Sequence, residues 1–149
     1  MSLAAGPWGW SVDEVRLPAP ALDARFVPLG DEMALVGVTP RRVVRDSVMP
    51  VDVVLVGLRP LTTDDGTSVR LVAGDGRVAV HDCQPALGAV PTLKWIQGSR
   101  VVDRHLLPVG DDFGEAQATF VAYERFRLTL LPPMDGRFEQ VPLGTWAVR

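Results

Sequence analysis

His81 and Cys83 stand two residues apart, so on a β-strand their side chains face the same side. With His105 they make a set of three soft ligands for a metal ion. Closed zinc sites need four ligands, usually from paired cysteines and histidines, and Cys83 is the chain's single cysteine. The favoured reading is therefore a half-buried histidine beside a core cysteine at a strand end, with no metal and no cofactor. A thiol nucleophile built from Cys83 and His105 needs a third, orienting group and a pocket. No local cysteine-protease signature surrounds Cys83, so no catalytic residue is assigned.

Carboxylate pairs occur at Asp31-Glu32, Asp64-Asp65 and Asp111-Asp112, each close to a glycine. Two carboxylates flanking a sugar can cleave a glycosidic bond, but Asp beside Gly is also what turns are made of, because the side chain bonds nearby backbone N–H groups. The turn reading is preferred. Calcium binding by Asp64, Asp65 or Asp75 needs six or more converging oxygens and is set lower. The single lysine, Lys94, follows no glycine-rich run, which excludes a phosphate loop, and no Gly-x-Ser-x-Gly elbow exists.

Trp95 poses a choice between two roles. An exposed indole there would stack on the apolar face of a sugar, with His81 and Asp82 as polar contacts; a buried one would plug an end of the core. Large rings at strand starts usually bury most of their area, so burial is expected. Asp103 is expected to be a buried acceptor for the backbone N–H groups of the loop over residues 83–99, which need partners. Pro85, Gly88, Pro91 and Gly98 are the residues that shape this loop.

The elements that must position these residues read as β-structure. Met33–Val38, Val51–Leu58, Ser68–Ala73, Arg77–His81, Arg100–Leu107, Gln117–Tyr123, Arg127–Leu131 and Gln140–Val148 are expected strands, with Arg41–Arg45 a further candidate. Thr62–Gly66 is a loop by composition. Gly74-Asp75-Gly76 supplies the positive φ of a tight hairpin. Ala118, Phe120 and Ala122 alternate with Thr119, Val121 and Tyr123, the period of a strand. No window of 12 or more residues carries a helical stripe. Short strands with regular turn signals predict an all-β fold, a single-domain antiparallel sandwich of jelly-roll or immunoglobulin-like kind. Residues 1–25, with Trp8, Trp10 and several prolines, read as a cloned leader, a linker or an edge strand, and residues 26–149 as the domain.

Composition narrows the class. The 149 residues are 47% hydrophobic and 22% charged, which suits a folded domain with its own core. Lysine and arginine number 15 against 18 acidic residues, a net charge of −3, which argues against nucleic acid as the partner. The longest apolar run, Val53–Leu58, is far too short to span a bilayer, and no secretory leader pattern is visible.

Asp82-x-x-Pro85, Gly88, Pro91-Thr92, Trp95-x-x-Gly98 and Asp103-x-His105, followed by Ala118–Glu124 and Arg127-Leu128, form a pattern of short motifs over about residues 26–148. It resembles the C-terminal extracytoplasmic domain of polytopic bacterial glycosyltransferases of the dolichyl-phosphate-mannose–protein mannosyltransferase type. Glu124-Arg125-Phe126 stands where that family has a Tyr-Asp pair and a Thr-Gly turn. The resemblance implies a non-catalytic accessory module on the extracytoplasmic side of a membrane, since glycosyl transfer belongs to the membrane-embedded part. Its implied partners are that membrane-embedded part or a glycan. A free-standing carbohydrate-binding module is the alternative, and a small hydrolase a third.

Overall fold

A computed structural model describes residues 23–44, 47–131 and 140–149. These form nine strands and no α-helix: β1 (Asp23–Leu29), β2 (Met33–Pro40), β3 (Val48–Gly57), β4 (Asp65–Ala73), β5 (Val78–Cys83), β6 (Arg100–Pro108), β7 (Gly114–Glu124), β8 (Thr129–Leu131) and β9 (Val141–Val148). Two antiparallel sheets face each other. One has the order β1-β2-β3-β6; the other runs β5-β4-β7, with β8 and β9 sharing the far edge of β7. This is the expected all-β sandwich. Its strand order differs from the immunoglobulin arrangement, in which the second strand pairs with the fifth, because β2 pairs with β3 here.

Alternation builds the core. Val51, Val53 and Leu55 of β3 face Val69 and Leu71 of β4 and Ala118, Phe120 and Ala122 of β7, all of them buried. β3 is central and buried on both faces. Its outward Asp52 is covered by Arg104, which donates from Nε at 2.7 Å and from Nη2 at 2.9 Å, and by Arg41 at 2.9 Å. Burial would raise the Asp52 pKa, but the two guanidinium groups outweigh it and hold the carboxyl below its ordinary value. At one open side of the sandwich, Arg25 of β1 donates to the carbonyls of Pro142 and Leu143 at 3.0 Å each. At the other, β5 and β6 are the edges that meet.

Several boundaries differ from the sequence reading. β1 begins at Asp23, inside the segment set aside as leader or linker; the tryptophans Trp8 and Trp10 lie outside the described residues. Arg41–Arg45 forms no strand where described, only an isolated bridge between Val44 and Val48, because Val43 N–H bonds Arg149 O while Val44 N–H bonds Val48 O, so the partners change and no continuous ladder forms. Asp65 and Gly66, read as loop, begin β4 and pair with Glu124 and Tyr123. Arg127 and Leu128, which open the expected strand, lie instead in a turn over residues 125–128, with Leu128 N–H donating to Glu124 O at 2.7 Å. The Gly74-Asp75-Gly76 hairpin is present, with Gly76 at φ +93°.

Candidate functional site

The polar residues of interest gather where edges β5 and β6 close the sandwich. The inward parity of β4 that buries Val69 and Leu71 also turns Thr67 inward. On β6 the sequence Val101, Asp103, His105, Leu107 occupies the inward positions, and Asp103 and His105 are 0% exposed. The register with β3 sets Asp103 beside Val53 and His105 beside Val51. On β5, His81 lies beside Val69 and Cys83 beside Thr67. Both are half-buried and on the same side of the strand, as their spacing requires.

These five side chains form one network. His105 Nε2 donates to Asp103 Oδ2 at 2.9 Å, and Thr67 Oγ1 donates to the same oxygen at 2.6 Å. Asp103 Oδ1 accepts from the Ala86 backbone N–H at 3.3 Å and from Cys83 Sγ at 3.5 Å. His105 Nδ1 lies 3.0 Å from both the Nδ1 and the carbonyl oxygen of His81. Burial alone would lower the pKa of His105, but the Asp103 carboxylate and Cys83 outweigh it and raise it to about 9. His81 is held below its ordinary value, first by burial and then by the charge of His105. His105 is thus the imidazolium that donates from both ring nitrogens, and neutral His81 accepts.

Cys83 Sγ is nearly equidistant from the two ring nitrogens of His105, at 4.0 and 3.9 Å. A sulfur in line with one N–H would be clearly closer to that nitrogen than to the other. Nε2 is already directed at Asp103 and Nδ1 at His81. The arrangement therefore lacks the thiol–imidazole alignment that nucleophilic catalysis needs. The carboxylate pairs are engaged in loops and turns: Asp31 with Arg59, Glu32 with the N–H and hydroxyl of Thr62, and Asp111 with Ser47. Asp65 is the exception. It is buried, Oδ1 accepts from Thr63 at 2.7 Å, and Oδ2 has no partner. Desolvation, reinforced by Glu32, Asp64 and Glu124, raises its pKa to about 6.

The 83–99 loop contains two short 3-10 turns, Pro85–Gly88 and Thr92–Lys94. Pro85 opens the first and Gly88 ends it at φ +82°, while Pro91 precedes the second. Gly98, at φ +86°, donates to Gly57 O at 2.8 Å and stitches the loop to β3. Trp95 is 1% exposed, and its indole N–H donates to Val90 O at 2.9 Å. It belongs to the core, as expected from the sequence; its role as a sugar platform is corrected, since no ring face is open to stack. Of the proposed sugar contacts, Asp82 is exposed, whereas His81 points into the network.

Beside Cys83 opens a groove of about 340 Å³ lined by Asp82, Cys83, Gln84, Tyr123, Arg125 and Leu128. Gly66 lies under the Tyr123 ring: a β-carbon there would meet it at 2.7 Å. The sequence reading missed Thr67, Gln84, Tyr123 and Arg125. Extending the β4 alternation two residues back would have found Thr67; no local signal brings Tyr123 and Arg125 to Asp82. No helix among the described residues is long and apolar enough to cross a membrane. Comparison of this chain with protein-family models, with curated proteins and with solved structures gave no match.

Proposed function

We propose that this chain is a non-catalytic accessory module that holds a glycan beside a membrane-bound glycosyltransferase, on the extracytoplasmic side. One observation carries the reading. Asp103, His105 and His81 turn into the sandwich and bond to one another, while the groove beside them presents hydrogen-bonding groups and an aromatic ring to solvent. Sugar sites combine such features: an aromatic face for the apolar side of the ring and planar polar groups for its hydroxyls. Asp82, Gln84 and Arg125 supply acceptors and donors, and Tyr123 supplies the ring. The motif order from Asp82 to Arg127 supports attachment to a glycosyltransferase of the mannosyl-transferring kind.

The genomic reading frame tests the attachment. It is expected to continue upstream into about ten apolar segments of roughly 20 residues each, the length that spans a bilayer. A frame that opens on this domain, or joins it to a soluble one, contradicts the accessory role.

A further inference from the structure

We propose that His81, Cys83 and His105 bind one zinc-class divalent ion through two imidazole Nδ1 atoms and a thiolate. The inference is independent of the glycan reading. Among the described residues these three are the His, Cys or acidic side chains that converge with metal-site spacing, each offering one ligand atom within 4.8 Å of the others. His81 Nδ1 and His105 Nδ1 are 3.0 Å apart, and Cys83 Sγ is 4.0 Å from His105 Nδ1. Tetrahedral zinc, with bonds of about 2.0–2.1 Å to nitrogen and 2.3 Å to sulfur, sets its ligand atoms roughly 3.3–3.6 Å apart. The nitrogen pair is already close to this, whereas Cys83 Sγ, nearly equidistant from the two ring nitrogens of His105, must swing by roughly 2 Å toward Nδ1, a change open to a half-buried side chain at the end of β5.

A second observation points the same way. Metal-binding histidines usually give their other ring N–H to a carboxylate, which fixes the tautomer and aims the free nitrogen at the ion. Asp103 does this for His105 through Nε2, and Thr67 in turn holds the same carboxylate oxygen. That leaves Nδ1 as the ligand atom, directed at His81. Two ring nitrogens facing each other at 3.0 Å need one proton or one cation between them. Binding exchanges these: the ion takes the lone pairs of His105 Nδ1, His81 Nδ1 and Cys83 Sγ, and the protons of His105 Nδ1 and the Cys83 thiol leave to solvent. Cys83 also lines the groove, which gives the ion its route and leaves the fourth position for water.

Cobalt(II) is the probe, added to the reduced, untagged, chelator-treated chain, with zinc as competitor. One equivalent is expected to bind, with a near-ultraviolet thiolate-to-cobalt band and the intense visible bands of four-coordinate cobalt, both erased by zinc. Cys83→Ser should remove the thiolate band, and His81→Ala should weaken binding at least about tenfold. Asp103→Asn, which touches no ion, should weaken it roughly 10–100-fold. Circular dichroism confirms that each variant is folded. Absence of the thiolate band in the native chain, or its survival in Cys83→Ser, overturns the site.

Discussion

Replacing Trp95 by alanine is expected to destabilise the protein by about 3–5 kcal/mol, the range for deleting a large buried aromatic side chain. The indole is 1% exposed within the continuous core, so the vacated volume is walled by neighbours that cannot all collapse into it. The change also removes the donor to Val90 O and leaves that carbonyl to find another partner. The damage spreads, because Trp95 anchors the loop that links β5 to β6: its N–H donates to Thr92 O, and its carbonyl accepts from Leu61. A domain of this size has roughly 5–15 kcal/mol in total, so a loss this large lowers the melting temperature by roughly 10 °C or more. Calorimetry of the two proteins measures it. A folded variant melting within about 2 °C of the native chain would mean that the ring carries little of the core's stability.

The second large effect is at Asp103. Its carboxylate accepts from Thr67, His105, Cys83 and the Ala86 backbone N–H. Asp103→Ala strands a fully buried imidazolium and is expected to cost about 3–5 kcal/mol. Asp103→Asn keeps the volume but removes the charge, and pH then separates electrostatics from packing. The folded pKa of His105, about 9, lies above its unfolded value near 6.5. The stabilisation is therefore complete below pH 6.5 and lost as pH rises through 9, a decline of about 3 kcal/mol. His81, whose pKa is lowered, acts in the opposite direction and only below pH 6.5, so it adds nothing to the decline between pH 7 and 9.5. Urea unfolding of the metal-free, chelator-treated chain followed by tryptophan fluorescence should show this decline in the native chain and a much flatter profile in Asp103→Asn. Equal slopes in the two proteins would contradict the buried ion pair.

Alternation carries sequence information about the fold, and it is strongest where a strand buries one face. Ala118, Phe120 and Ala122 are legible because Thr119, Val121 and Tyr123 interrupt them, and the hairpin at Gly74-Asp75-Gly76 is legible because a positive φ there suits glycine. Asp65 misleads for a physical reason. Asp-Asp-Gly is turn chemistry, yet pairing with Glu124 and Tyr123 across β7 draws Asp65 and Gly66 into the sheet. Three members of the polar network are legible too: His81 and Cys83 by spacing, Asp103 as a buried acceptor. Their meeting is not, because it depends on β5 and β6 belonging to different sheets whose edges close on each other, a long-range arrangement without a local signature. The groove is hidden for the same reason, since Asp82 and Gln84 come from the end of β5 and its following loop, while Tyr123 and Arg125 come from the end of β7 and its following turn.

If the groove is the working surface of a glycan-holding module, its backbone amides should report a bound sugar directly. Titration of the ¹⁵N-labelled chain with mannotetraose is expected to give saturable shifts confined to Asp82–Gln84 and Tyr123–Arg125, and Tyr123→Ala should abolish them while the remaining spectrum stays that of a folded protein. The absence of any saturable shift up to about 10 mM sugar, weaker than roughly −3 kcal/mol, or shifts centred on another face of the sandwich, would contradict the proposed function.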